Sequence, residues 1–332
     1  MLARIVAIFF IALTGLFAWA WTDYQAFVAQ PIITENAKII EVEKGSSFTA
    51  IIQSFGYQRR SLNALWFRLL AEQEGLINQL KAGEYELPSG LLPKDFLVLL
   101  SLGKTRQHEI TFPEGWNFKE IRQAISVNEN LTQTVAELSD LQVLQKLGSD
   151  YTHPEGLFFP DTYRFEKHST DLAILKLAYN KMQNRLAVLW EQRTANLPIK
   201  SAYEALILAS IVEKETGVVA EQPIIAGVFM RRLRKGMRLQ TDPTVIYGMG
   251  ESYQGNIRKK DLSTLTPYNT YRINGLPPTP IAMPGEYALF SVLHPTDDGS
   301  LYFVAKGDGG HIFSATLADH NKAVNNFQRK HK

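Results

Sequence analysis

The stretch that most limits how this chain can fold is SAYEALILASIVEKETG, Ser201 to Gly217. Ser201 and Glu204 form a Ser-x-x-Glu capping signature, which marks a helix start. Eight apolar or small residues follow without a break, Ala205 to Val212. A helix with no polar face over two turns has to be enclosed on nearly all sides. It closes in Glu213, Lys214 and Glu215, and Gly217 is placed to terminate it. Leu208, Ile211, Val212 and Glu215 share one stripe by the i, i+3, i+4, i+7 spacing. A carboxyl group thus continues the line of a buried face into the last helical turn. Partial burial and the negative end of the helix dipole both disfavour its charged form. A carboxyl that keeps its proton near neutral pH is what a general acid requires. Taken alone, the stretch favours the plainer reading, in which Glu213, Lys214 and Glu215 wet an exposed helix end.

The N-terminus sets a second constraint. Ile5 to Trp21 runs for 17 residues without a charge, about the minimum for crossing a bilayer. Trp19 and Trp21 sit where interfacial anchors belong, and Arg4 predicts a cytoplasmic N-terminus. Ala18-Trp19-Ala20 also reads as an A-x-A cleavage site. The bulky Trp inside that site and the weak charged region favour an uncleaved anchor over residues 1–22. In either case the remainder of the chain lies outside the cytoplasm. The 332 residues allow two domains. A net charge of +2 with no basic block argues against nucleic acid as a partner. The chain has no cysteine, so disulfides and thiolate metal sites are excluded.

Residues 23–37 have no sustained period and read as a spacer. KIIEVEK from Lys38 reads as a strand, with a helix from Phe48, a second over Arg60–Glu74 and a strand over Lys81–Leu87. Leu62, Leu65, Trp66, Leu69 and Leu70 make the apolar face of the second helix. This strand–helix–helix–strand order over 38–105 resembles a LysM-like module, whose family binds cell-wall glycans. A further helix is expected over Pro93–Leu102, with a domain boundary near Gly103-Lys104-Thr105. Beyond it the pattern predicts a strand over His108–Phe112 and helices over 117–126, 129–147 and 169–192. PEGLFFPDTYRF, Pro154 to Phe165, reads as an ordered aromatic loop. A helix over Glu221–Lys235 carries Arg231, Arg232, Arg234 and Lys235 at its end, where cations suit the dipole. Met237–Gly250 and Thr266–Glu286 read as loops rich in neutral hydrogen-bonding groups and flat rings, a surface suited to sugars. LYFVA and HIFSA flanking KGDGG predict a β-hairpin, and a helix closes the chain over Thr316–Arg329.

Several chemistries have no support. The seven histidines show no H-E-x-x-H and no i, i+4 pair, so no metal site is expected. There is no G-x-S-x-G elbow and no nucleotide-binding glycine loop, so no cofactor is expected. Carboxylate chemistry remains, from Glu213, Glu215, Asp242, Asp161 and Glu155 beside the polar aromatic loops.

Four separated blocks carry a specific likeness: IVEKET (211–216), RLRKGMRLQTDPTVIYGMG (232–250), YNTYRINGLPPTPIAMPG (268–285) and LYFVAKGDGGHIFS (301–314). With the PEGLFFPDTYRF loop and the apolar N-terminus, the chain resembles the endolytic murein transglycosylases of the YceG-like family over essentially its whole length. The resemblance implies an α+β protein: an N-terminal transmembrane helix, a small LysM-like βααβ subdomain (38–105), and a mostly helical, lysozyme-like catalytic domain (106–332) ending in a β-hairpin. It implies single-pass anchoring in the inner membrane, peptidoglycan glycan strands as partner, and lyase chemistry leaving 1,6-anhydro-N-acetylmuramic acid ends. The family's catalytic acid falls on Glu215, with Glu213 as its neighbour. Gln240, Tyr268 and Asn269 match a Gln-containing loop and a Y-N motif. Asp242, Tyr247, Tyr271 and Glu155 join them as expected substrate-binding residues. IVEKE lacks the Glu-Ser dipeptide of soluble lysozyme-like relatives, so no serine partner is implied. Two alternatives stand beside this reading. One is a hydrolytic muramidase pairing Glu215 with Asp242 or Glu155. The other is a non-catalytic glycan-binding scaffold that positions cell-wall synthases.

Overall fold

The apolar N-terminal run becomes one helix, Leu2–Ala29 (α1), with a mean hydropathy of 2.1 over its most apolar window. By length and composition it is long enough to cross a membrane. It does not stop at residue 22 but continues to Ala29, into the first half of the segment expected to be a spacer. The reason is packing: Tyr24 and Phe27 are buried, with ring centroids 5.5 Å from Trp66 and 4.8 Å from Phe67. Trp66 Nε1 also donates to Asp23 Oδ2 at 2.9 Å.

The computed structural model describes residues 1–54 and 63–329. They form two units, Met1–His108 with Phe165–His168, and Glu109–Arg164 with Ser169–Lys332. In the first, Lys38–Val42 (β1) pairs antiparallel with Gly83–Leu87 (β2), Lys38 opposite Leu87 and Val42 opposite Gly83. Phe48–Ser54 (α2), Asn63–Gln73 (α3) and Pro93–Leu102 (α4) complete it. Leu62 and the start of the expected Arg60–Glu74 helix lie outside the described residues. The buried side of α3 is Trp66, Phe67, Leu70 and Ala71, whereas Leu65 is 54% exposed. The expected stripe was therefore rotated, because Phe67 meets both Phe27 and Phe96.

Gln107–Thr111 (β3) pairs with Thr162–Glu166 (β5), and the second unit begins within β3, at Glu109. Between them lie Phe118–Ser126 (α5), the two-residue strand Leu131–Thr132 (β4) and Asp140–Leu147 (α6). The expected 129–147 helix thus starts late. A capping box between Ser139 and Gln142 sets its beginning. The preceding turn is held instead by the buried Asp171, which accepts from the Thr134 and Val135 N–H groups. Residues 154–160 are buried throughout, and Phe158 stacks on Phe118 at 4.9 Å. The second half of the expected loop becomes β5, with Tyr163 and Phe165 facing inward.

Ser169–Thr170 (β6) pairs parallel with β4 and leads into Asp171–Glu191 (α7). The organising stretch is Ala202–Glu215 (α8), with every residue from Ala205 to Val212 buried. It packs against α7, Gln222–Arg234 (α9), Asp242–Met249 (α10) and Glu286–Leu293 (α12). A short helix, Lys259–Ser263 (α11), precedes α12. The start of α8 is half of the expected box: Ser201 Oγ accepts from Glu204 N–H at 3.1 Å, but Glu204 Oε2 takes the Lys200 N–H at 2.6 Å. Its end is at Thr216, in extended backbone, not at Gly217. The expected hairpin forms from Tyr302–Ala305 (β7) and His311–Ser314 (β8), followed by Leu317–Val324 (α13) and a single wide turn, Asn325–Arg329.

Two departures shape the functional region. Met237–Gly250 is not all loop, since Asp242-Pro243 opens α10 with proline in its first turn, where the missing N–H costs nothing. Arg231 and Arg232 are buried instead of solvated at the end of α9. Their guanidinium groups reach backbone carbonyls: Arg231 Nε to Ser300 at 2.6 Å, Arg232 Nε to Leu301 at 2.7 Å.

Candidate active site

Glu215 is the last helical residue of α8 and is partly exposed, one turn beyond the fully buried Ile211 and Val212. Its Oε2 accepts from Thr241 Oγ1 at 2.5 Å. Thr241 is itself 2% exposed and is held by Thr270, whose Oγ1 takes the Thr241 N–H at 3.1 Å. Burial pushes the Glu215 carboxyl above the usual range. The Thr241 hydrogen bond opposes that shift, the Asp242 charge adds to it, and the charges of His311 and Arg232 oppose it. Tyr271 stands beside them and donates to Asp242 Oδ1 at 2.7 Å. Burial and the Asp242 hydrogen bond raise the Tyr271 phenol, which keeps it a donor. The outcome is a carboxyl that holds its proton more tightly than a free one, yet has the Thr241 hydroxyl and the Arg232 guanidinium to offset its charge once that proton is given away.

Glu213, half a turn back, has another role. Its Oε2 accepts from the Gly285 N–H at 3.0 Å, tying the end of α8 to the start of α12. Burial raises its pKa as well.

A second group gathers on the far part of α10. A cleft of about 700 Å³ is lined by Phe118, Lys119, His153, Glu155, Lys214, Ile246, Tyr247 and Tyr268, among others. Glu155 is 4% exposed. Its Oε1 accepts from the Phe118 N–H at 3.1 Å and its Oε2 from the Tyr247 hydroxyl at 3.0 Å. Burial pushes its pKa up to about 7, against those two hydrogen bonds. The loop that carries it is fixed by Gly156, at φ +79° and so close to Pro280 that a Cβ would lie 2.5 Å from that ring. Tyr247 and Tyr268 meet edge to face at 5.0 Å.

The fold therefore divides the expected residues. Glu215, Asp242 and Tyr271 come together around Thr241 at the start of α10. Glu155, Tyr247 and Tyr268 come together in the cleft, with separate polar partners. Gln240 adjoins the first group. Its backbone sits in the left-handed region at φ 51° and donates to Thr270 O at 3.2 Å, and its side chain is exposed. Asn269 belongs to neither. It is 1% exposed, its amide donates to the carbonyls of Asp261, Leu262 and Thr264, and its Oδ1 accepts from the Tyr271 N–H. That side chain is buried and builds the loop from within. Thr241, Arg232 and His311 were not anticipated as partners of Glu215. Only the run Thr241-Asp242-Pro243, a threonine at a helix N-cap, marked one of them in the sequence. Among the described residues no group of three or more His, Asp or Glu side chains is arranged to hold a metal ion.

Three comparisons bear on this arrangement. The chain is 32% identical over 301 residues to the endolytic murein transglycosylase of Bacillus subtilis, covering 86% of this chain and 83% of that one. It is 27% identical over 354 positions to the endolytic murein transglycosylase of Streptococcus pneumoniae, covering 95% of this chain but 64% of that longer protein. A crystal structure of a putative YceG-like protein from Listeria monocytogenes superposes with a TM-score of 0.54 at 30% identity, over 87% of this chain and 99% of that one. The sequence profile of the YceG-like family matches residues 40–326, which takes in the second half of the first strand, both side-chain groups and the C-terminal hairpin. The chain belongs to the YceG-like family.

Proposed function

We propose that this chain is an endolytic murein transglycosylase, a lyase that cuts glycan strands of peptidoglycan, with Glu215 as its acid. One observation carries the assignment: a carboxyl whose pKa is raised by burial, at a helix end, with a hydroxyl donor at 2.5 Å and fixed positive charge nearby. Its relatives named endolytic murein transglycosylase supply the substrate class.

The reaction needs one carboxyl. Protonated Glu215 gives its proton to the glycosidic oxygen, and the bond from C1 of N-acetylmuramic acid to that oxygen breaks. The 6-hydroxyl of the same sugar attacks C1, forms the C1–O6 bond and returns its proton to Glu215. No water is consumed, and the intramolecular attack carries a high effective molarity. Thr241, His311 and Arg232 stabilise the carboxylate between the two transfers. Asp242 and the polar loop face the developing positive charge.

The finer architecture belongs to the same proposal. Residues 38–105 act as a LysM-like glycan-holding module, and 106–332 as the lysozyme-like catalytic domain. The apolar helix anchors the chain in the inner membrane with its N-terminus in the cytoplasm, as Arg4 indicates. Tyr247, Tyr268, Tyr271, Asp242 and Gln240 bind the strand.

Asp242 favours a second reading, since its charge acts directly on Glu215 and hydrolytic glycosidases pair two carboxyls. Mass spectrometry of digested strands separates the two: 1,6-anhydro ends support the lyase, and reducing ends support the muramidase. A chain that cuts no strands, and whose Glu215→Gln variant keeps all biological activity, would leave only the scaffold role.

A further inference from the structure

In the cleft beside α10, the direction of one hydroxyl's hydrogen bond depends on one carboxyl. Glu155 Oε2 and the Tyr247 hydroxyl are 3.0 Å apart. The neighbouring Tyr268 hydroxyl is 2.8 Å from the Thr279 hydroxyl, which donates to Pro280 O at 2.8 Å. Glu155, Tyr247 and Tyr268 all line the cleft. A phenol has one proton to give. When Glu155 is ionised, both its oxygens only accept, so Tyr247 must spend its proton on Oε2. When Glu155 is protonated on Oε2, the carboxyl donates to Tyr247 instead, and the Tyr247 proton is released. Oε1 is satisfied by the Phe118 N–H in both states.

We infer that Glu155 is a specificity-determining group of this cleft: in its neutral form it turns Tyr247 into a donor for the N-acetyl carbonyl or a hydroxyl of a bound amino sugar, and in its ionised form it withdraws that donor. The inference rests on the proposed murein substrate. The chemistry of the walls fits a neutral sugar. Pro243 and Ile246 offer apolar surface to C–H groups, and the two tyrosine rings offer flat faces. An ionised Glu155 would add a buried negative charge under a ligand with nothing to pair with it.

The surroundings let Glu155 titrate in the neutral range. Burial holds its pKa at about 7, with Glu120 on α5 adding to the shift. Histidine is the other side chain that ordinarily changes charge there. His153 uses Nδ1 to accept the Glu155 N–H at 3.3 Å, and burial lowers its pKa. On the remaining walls, Lys119 is paired with Glu251 at 2.5 Å, Lys214 Nζ donates to Gly115 O at 3.0 Å, and Asp140 accepts from Arg122 at 3.0 Å.

The test measures binding of peptide-free murein glycan strands to the full-length chain in detergent, in a Glu215→Gln background so that no strand is cut. Between pH 6 and pH 8 the neutral fraction of a group titrating near 7 falls from about ten-elevenths to about one-eleventh, so the apparent Kd should rise about tenfold. Glu155→Gln is neutral at every pH, keeps an acceptor for Phe118 and gives Tyr247 a donor, so its Kd should be flat across that range. Tyr247→Phe removes the donor that Glu155 switches, so its Kd should be raised and flat across that range. A pH dependence that survives in Glu155→Gln or in Tyr247→Phe overturns the role of Glu155. Binding that is tight but independent of pH in the Glu215→Gln chain overturns it too, while leaving the murein assignment in place. No binding at any pH sinks that assignment itself.

Discussion

Replacing Glu215 by Gln tests the acid and its environment together. Gln keeps the size of the side chain, and its carbonyl can still accept from Thr241 Oγ1, now at 2.5 Å from Oε2. The transferable proton is gone. Losing a general acid–base slows turnover by about 10²–10⁴-fold, or about 2.7–5.5 kcal/mol in the barrier at 1.36 kcal/mol per decade. Stability should move the other way. The folded carboxyl has its pKa raised, first by burial and then by Asp242, so the folded state binds a proton more tightly than the unfolded chain. Stability from this group is therefore complete below the unfolded value of about 4.3 and is lost as pH rises through the folded one. Gln has no such loss. Glu215→Gln should melt no lower than wild type at pH 5, and its relative advantage should grow towards pH 8. Release of anhydro-muropeptides and melting temperature at the two pH values read both halves. Glu213 binds the Gly285 N–H and not the region around Thr241, so Glu213→Gln should cost far less turnover. If Glu213→Gln abolishes release while Glu215→Gln spares it, the assignment of the acid is wrong.

Four further outcomes are expected. Thr241→Val deletes a hydrogen bond to the ionised carboxylate, worth about 1.5–3 kcal/mol; the alkaline limb of kcat/KM should shift to higher pH, and an unmoved limb refutes the contact. Glu155→Gln removes a buried carboxyl whose pKa is raised from 4.5 to about 7, so by linkage it should gain roughly 3 kcal/mol at pH 8 and almost nothing at pH 4, as denaturant melts at the two pH values would show. Asn269→Ala strips hydrogen bonds from three carbonyls and one N–H inside the loop; a loss of about 1–3 kcal/mol is expected, and an unchanged melting temperature would contradict the structural role. The full chain should stay with the membrane after a high-salt wash, retaining Met1 to Trp21; a mature N-terminus at Trp21 would establish cleavage instead.

What the sequence determined was whatever depends on local spacing. The unbroken run of apolar and small residues from Ala205 to Val212 required an enclosed helix, while Glu215 was singled out by family likeness and not by its stripe alone. The KGDGG turn dictated the hairpin, and seventeen uncharged residues dictated a long N-terminal helix. Family likeness then placed Asp242, Tyr247, Tyr268 and Tyr271 near the chemistry, without saying how they divide.

Tertiary structure decided the rest, because the deciding partners are distant in the chain. Arg232 looked like one of four solvated cations on a helix end; the carbonyls of Leu239 and Leu301 draw it inward, beside Glu215. Asn269 had the residue type of a sugar ligand but is buried, with its amide and carbonyl bonded to its own loop. The residues after Trp21 lack an apolar period, yet α1 continues because Tyr24 and Phe27 are buried against a helix more than forty residues later. Glu155 becomes a group that titrates near neutrality only when the fold buries it beside Glu120, against the hydrogen bonds from Phe118 and Tyr247. A carboxyl's acidity is set by the charges and hydrogen bonds that surround it in space, and those exist only once the chain has folded.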